Sequence, residues 1–270
     1  MYEQDYLNLV ARVMSEGTLR KYRNGNAWSI FGGMLQINSL VDYEFPILTT
    51  RKMSFKPIMG ELSAFVAGAT DLQTFKDFGC NYWDMNAEQW SRNTGRTDKR
   101  AMSVGVIYGA QWRNWEGCFD QLKNLVAGIK HDPTSRRHIM TAWNPCELDD
   151  MCLPPCHILV QAYVSGDYLD LSVYMRSVDM CLGLPTDVVL YAGFLVALAK
   201  ECRLQPGSLI FQLGDMHIYA PHMDTALEQI NRVPWPLPTH KYEGSLFATH
   251  PDDFELVGYH PQEALKYELL

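Results

Sequence analysis

Two strand-like runs, residues 158–164 and 169–175, flank the turn sequence Ser165-Gly166-Asp167. This hairpin is the feature that most limits what the chain can become. Immediately ahead of it stands Leu153-Pro154-Pro155-Cys156-His157. Its two prolines fix the approach and forbid helix, so Cys156 sits at a rigid strand entrance. Behind the hairpin, residues 185–201 are long and apolar with proline at the start, which predicts a helix. Further helices are predicted over 6–16 (ended by Gly17), 56–68, 71–78, 118–129 and 222–232. Strands are predicted over 29–38, with a glycine bulge or bend, over 138–143, and as short pieces at 209–213 and 216–219. Residues 81–102 are polar and read as loop. Strands and helices mix without strict alternation, so the class is α+β. No repeat, low-complexity tract or linker appears, which predicts a single domain over 1–270.

A chain of 270 residues can bury roughly three-quarters of the surface its unfolded form exposes. With 31 acidic and 23 basic side chains its net charge is -8, which argues against a nucleic-acid partner while leaving room for a local cationic pocket. The longest apolar stretch, 188–199, is interrupted by Tyr191 and Gly193, so no membrane partner is expected. The opening MYEQDYLNLV carries acidic residues where a signal peptide carries basic ones, and a cytoplasmic location is the expectation. The seven cysteines lack a CxxC pair, and nothing completes a zinc pattern around Cys152 and Cys156. Reduced thiols and no metal are therefore expected.

Cys156 is either a buried thiol or a nucleophile. A hydrolase dyad with His157 as base is disfavoured, because adjacent strand residues point to opposite faces. Arg176-Ser177 suits a phosphate, and so do Arg136 and Arg137 at the turn Asp132-Pro133-Thr134-Ser135; singly, each also reads as a surface ion pair. Asp215, His217 and Tyr219 recur at period two and share one face of a strand, which suggests a lined cavity.

Taken together, RNGNAWSIFG, FPILTTRKMSF, GELSAFVAG, YWD, YGAQWR, DPTSRR, AWNPCELDDMCLPPCH, RSVDMCLGLP and GDMHIYAPHMD stand in an order that resembles the thymidylate synthase family over nearly the whole chain. The resemblance implies a mixed β-sheet flanked by helices, and a homodimer whose sheets pack back to back. It implies that Cys156 adds to C6 of a pyrimidine nucleotide, with Glu61 and Tyr108 organising water and moving protons. Arg23, Arg176 and Ser177 would hold the phosphate, joined by Arg136 and Arg137 of the partner subunit. His217 and Tyr219 would hold the sugar hydroxyl. Asp179 would bind the pterin of the co-substrate 5,10-methylenetetrahydrofolate, with Trp83, Leu182 and Gly183 around it. The thiol near its ordinary value of ~8.5 is mostly protonated at neutral pH, so surrounding arginines are expected to help ionise it.

One departure carries the most information. Where the family continues with phenylalanine and asparagine, this chain has Thr186 and Asp187 after Leu182-Gly183-Leu184-Pro185. Asparagine matches the N3 donor and O4 acceptor of uracil. A carboxyl matches cytosine: it accepts from the 4-amino group and shares a proton with N3, whereas against uracil it sets acceptor against acceptor. Such matching discriminates by about 10⁴-fold or more. The plainer reading of Asp187 is a helix N-terminal residue that stabilises the macrodipole. The aspartate, and Met175 ahead of Arg176, are similar to deoxycytidylate hydroxymethylases of the same family. The expected product is 5-hydroxymethyl-dCMP. Trp83 and Leu153 match residues of a dry pocket and favour methylation, but Thr186, Asn86 and the changed C-terminus favour water. Methyl-dCMP, thymidylate from dUMP, a CMP hydroxymethylase and a non-catalytic nucleotide- or RNA-binding regulator are the alternatives.

Overall fold

The hairpin forms where its turn sequence sits. In the computed structural model, which describes residues 2–95 and 102–269, β4 (His157–Ser165) and β5 (Tyr168–Asp179) pair antiparallel around Gly166. Gly166 takes a φ of 59°, a conformation glycine adopts without cost. The chain then crosses over through α7 (Gly183–Cys202) and returns as β6 (Gln205–Tyr219), parallel to β5. β6 pairs antiparallel with β2 (Gly25–Ile37), and β2 with β1 (Thr18–Tyr22). On the other side β4 pairs with β3 (Ile139–Thr141). The resulting mixed sheet has the order β1-β2-β6-β5-β4-β3.

α7 is buried on every side, from Leu184 and Val188 to Leu198 and Ala199. A helix apolar all round belongs inside a protein. By length and composition α7 also matches a membrane span, yet 78% of its apolar window is buried within the fold. The apolar stretch 188–199 is therefore the middle of a core helix longer than the sequence suggested. Pro185 is its third residue, where a missing N–H costs nothing. α2 (Phe55–Ala67) packs on α7 and on α5 (Tyr108–Arg113), while α6 (Gln121–His131) packs on α5 and α7. α1 (Tyr2–Glu16) covers β2 and meets α8 (Met223–Ile230). Elsewhere on the sheet Met34, Tyr163 and Tyr174 are exposed, and Phe31 is 78% exposed.

Other differences from the sequence reading have local causes. The expected loop 81–102 contains α4 (Asp84–Thr94), which buries only Ala87 and Ser91, one turn apart, too narrow a stripe to register as periodic; its stretch 96–101 lies outside the described residues. α5 was not anticipated as an element. The two short strands expected at 209–213 and 216–219 are one strand, β6. Gly214, which suggested the break, is glycine because a Cβ there would meet the Arg176 carbonyl oxygen at 2.8 Å. α3 (Leu72–Asp77) starts at Asp71, whose side chain accepts from the Thr74 amide. A small ribbon, β7 (Thr239–Tyr242) with β8 (Phe254–Val257), lies apart from the main sheet.

Candidate active site

Cys156 precedes β4, which runs antiparallel to β5, so it is level with the last residues of β5 and β6. In the same region Ser177 pairs with Asp215, and Asp179 with His217. The N-terminus of α7 follows directly from β5. Ligand sites favour the carboxyl ends of such parallel strands.

Arg176 holds the thiol's backbone. Its amide donates to the Cys156 carbonyl (2.9 Å), its Nε to Pro155 (2.7 Å) and its Nη2 to Pro154 (2.9 Å). The guanidinium lies 5.2 Å from the Trp143 ring centroid. From the other side the Cys156 amide donates to the Tyr108 hydroxyl at 2.7 Å. Burial pushes the Cys156 thiol up to about 11; Arg176 pulls it down, and Asp187 and Asp179 push it further up. Arg176 thus acts in the expected direction, helping to ionise the thiol, and within one chain burial outweighs it. Arg23 is exposed in the β1–β2 turn with its Nε on Asn24 (3.2 Å). Arg136 and Arg137 are exposed ahead of β3 and make no ion pair among the described residues.

Two carboxyls lie in the interior nearby. Glu61 on α2 accepts from the Trp83 indole at 2.8 Å, and burial raises it to about 7 against that hydrogen bond. Asp187 is the fifth residue of α7, beyond the first turn, so the macrodipole reading does not explain it. It is 14% exposed, and burial followed by the charges of Glu61 and Asp179 raises its carboxyl well above the usual range. Its Oδ1 lies 3.5 Å from His157 Nε2. His157 stacks on Tyr108 (centroids 4.0 Å apart), and its Nδ1 is 2.6 Å from the Tyr191 hydroxyl. Burial lowers the imidazole to about 3. No hydrogen bond joins His157 to Cys156 among the described residues, in keeping with their opposite directions along the strand.

His217 is held from behind. Its Nδ1 faces the Asp215 carbonyl (3.2 Å) and carboxylate (3.4 Å), both acceptors, so Nδ1 carries the proton and Nε2 is left as an acceptor. Asp215 is itself anchored by Ser29 (2.7 Å) and Tyr22 (3.0 Å), two residues the sequence reading missed. Tyr219 stands edge-on to His217 at 5.1 Å. Asp179 Oδ1 accepts from the amides of Cys181 (2.9 Å) and Leu182 (3.3 Å), which fixes the carboxyl at the entry to α7 beside Gly183.

Asp179, Cys181 and His222 bring metal-type ligand atoms within 4.8 Å of one another. Arg51 already sets a cation there: its Nη2 donates to the Cys181 carbonyl at 2.5 Å, and its guanidinium lies over Tyr267. Tyr267 belongs to an irregular C-terminal strap, tied down by Gln262 to Thr49, Arg232 to Glu263 and His222 to Glu268.

A clamped thiol, two carboxyls held toward their neutral forms and an imidazole with a free acceptor nitrogen, at one end of a mixed sheet, define the class: an α+β protein with a polar cluster built around a cysteine. Comparison with known proteins supplies the family. The profile of thymidylate synthase matches residues 4–270. The bifunctional dihydrofolate reductase-thymidylate synthases of Paramecium tetraurelia and Leishmania major are 36% and 37% identical to it over 283 and 286 residues. These alignments take in 99% of this chain in each case, and 61% and 55% of the relatives. The chain therefore belongs to the thymidylate synthase family. It spans little more than half the length of these curated relatives.

Proposed function

We propose that this chain transfers a one-carbon unit from 5,10-methylenetetrahydrofolate, the co-substrate of its family, to C5 of dCMP, and that the product is 5-hydroxymethyl-dCMP. The observation that carries this reading is Asp187, a carboxyl enclosed beside Cys156 and held toward its protonated form. Addition of the Cys156 sulfur to C6 opens the 5,6 double bond of the pyrimidine, and N3 of cytosine must gain a proton as it does so. A carboxylic acid can deliver that proton; an amide cannot. C5 then attacks the one-carbon unit. Glu61, poised at about 7, suits the later removal of the C5 proton and the delivery of water to the exocyclic methylene.

The supporting roles follow the same geometry. Arg176, Ser177 and Arg23 are read as phosphate ligands, and His217 Nε2 with Tyr219 as the sugar-hydroxyl partners. Asp179, with one oxygen occupied by backbone amides, is read as offering the other to the pterin, beside Trp83, Leu182 and Gly183. Arg136 and Arg137, exposed and without ion pairs among the described residues, are read as reaching the phosphate of a second copy. The exposed sheet residues Phe31, Met34, Tyr163 and Tyr174 suit the back-to-back packing of that homodimer.

Trp83 and Leu153, buried or half-buried near the thiol, favour methyl-dCMP as the second product. Both relatives bear the name thymidylate synthase, which favours thymidylate synthesis as the second reading. One assay separates these readings. C5-tritiated dCMP or dUMP is incubated with methylenetetrahydrofolate, tritium release is followed, and the product is weighed by mass spectrometry. Hydroxymethyl-dCMP with tetrahydrofolate released is expected. Dihydrofolate formation marks methylation, and a strong preference for dUMP would overturn the cytosine reading.

A further inference from the structure

Tyr191 and His157 are interior polar groups beside Asp187 that take no part in the proposed chemistry. Tyr191 is fully buried on α7, one turn beyond Asp187, and its hydroxyl is 2.6 Å from His157 Nδ1. Burial pushes its phenol well above the usual range, so it keeps its O–H. No other acceptor for that O–H exists among the described residues, and a buried hydroxyl left unpaired is costly. The O–H therefore donates to Nδ1. A neutral imidazole that accepts at Nδ1 carries its proton on Nε2, and Nε2 is the atom 3.5 Å from Asp187 Oδ1.

We infer that the Tyr191 hydroxyl, acting through the His157 tautomer, fixes Asp187 Oδ1 as an acceptor and so keeps the carboxyl's proton on the oxygen available to the pyrimidine. Tyr191 and His157 are positioning residues in this scheme, not groups that touch the nucleotide. The alternative arrangement, with Nδ1–H donating to Tyr191 and the Asp187 O–H donating to Nε2, would turn that proton away from the base. It is disfavoured because the phenol's own hydrogen would then have no partner. The other ionisable groups facing Asp187 are Glu61 from α2, Tyr108 from α5, Cys156 ahead of β4 and Asp179 at the end of β5. None of them makes a hydrogen bond to Asp187 among the described residues.

The role in nucleotide choice rests on the proposed function; the tautomer does not, and the two are tested separately. Tyr191→Phe keeps the ring that packs on Trp112, Phe194 and Phe211. Nitrogen NMR of histidine-labelled protein without ligands, with the His157 signals assigned by their loss in His157→Gln, is expected to give the Nε2–H form in the parent and a mixture in Tyr191→Phe. Observation of the Nδ1–H form in the parent would overturn the inference, whatever the enzyme turns over.

In turnover, Tyr191→Phe is expected to lower kcat on dCMP by about tenfold to a hundredfold with KM changed less than about threefold. The alkaline limb of the rate profile should move to higher pH, because an Asp187 O–H donating to Nε2 resists ionisation. His157→Gln sets an amide donor near the position of Nε2, so adding Tyr191→Phe to it should cost nothing further. An unmoved limb in Tyr191→Phe, or additive losses in the double variant, would reduce Tyr191 to a packing role.

Discussion

Asp187→Asn is the perturbation that isolates the base-reading argument. Shape is conserved, and so is the pattern of one donor and one acceptor, because a neutral carboxylic acid and an amide each offer both. Binding alone should therefore change little, with KM for dCMP moving by no more than about tenfold. The difference is that the acid can surrender its proton. Asp187 is 14% exposed and burial holds it toward the acid, so the group is set to give that proton when the thiol adds. Loss of a positioned general acid costs about 10²- to 10⁴-fold in kcat. With dUMP, N3 already carries its proton, and the neutral acid and the amide offer the same donor and acceptor, so kcat on dUMP should change by less than about tenfold. The swing in dCMP-over-dUMP preference is therefore set by the loss on dCMP, about 10²-fold or more. Tritium release from each nucleotide, measured with saturating methylenetetrahydrofolate, gives both kcat values directly. A fall in kcat on dCMP of less than about tenfold would refute the proton-delivery argument, since no general acid of that importance could be lost so cheaply.

Two further outcomes concern the ligand-free protein. Glu61 is raised from 4.5 to about 7, a shift equivalent to about 3 kcal/mol, so its contribution to stability is present below pH 4.5 and is lost as pH rises through 7. Glu61→Gln should remove that share of the loss, so the stability measured by urea unfolding should fall less between pH 5 and pH 8 in the variant than in the parent, the remaining fall including that of Asp187. Cys156, pushed up to about 11, should be a slow thiol. At pH 8 only about one part in 10³ is thiolate, and iodoacetamide labelling, mapped by peptide to separate it from the exposed Cys118 and Cys146, should accelerate until pH approaches 11. Arg176→Met should slow it further, and a midpoint near 8.5 would contradict the dominance of burial.

The fold was legible wherever one local pattern had one solution. The hairpin turn at Gly166, the apolar run of α7 and the α1, α2 and α6 periodicities all found their elements within a few residues. The failures have different local causes. α4 presents two fully buried positions, and β6 is interrupted in composition by Gly214-Asp215 although its backbone pairing continues on both sides. The site divides in the same way. Cys156, Arg176-Ser177 and the Asp215-His217-Tyr219 face are short-range arrangements that spacing alone brings together. The contact between His157 and Tyr191 spans 34 residues and that between Arg51 and Cys181 spans 130, and no periodicity reports such pairs. Tyr191 did leave a trace, as the polar interruption in an otherwise apolar helix.

What the geometry adds to the residue list is a common direction. Burial drives Cys156, Glu61, Asp187 and His157 alike toward their uncharged forms. Arg176 pulls the thiol toward ionisation, as the sequence suggested, while burial pulls it and the two carboxyls toward their protonated forms. The ionised and the neutral thiol differ in what they can do to a cytosine ring. Thiolate attack would build negative charge in a dry site beside two carboxyls, at a high electrostatic cost. Addition of a neutral thiol creates no net charge: sulfur bonds to C6 and loses its proton, Asp187 gives its own proton to N3, and the proton released by sulfur replaces it. On that chemistry the raised values of Cys156 and Asp187 are matched rather than opposed, and a single substitution that ionises either group should disable the addition even though the other is untouched. Glu61→Gln tests the neighbouring case, because it removes one of the charges that hold Asp187 in its acid form without removing a partner of the thiol. Carbon NMR of the ligand-free variant should show the Asp187 carboxyl ionising at lower pH than in the parent, and an unmoved titration would mean that Asp187 keeps its proton through burial alone.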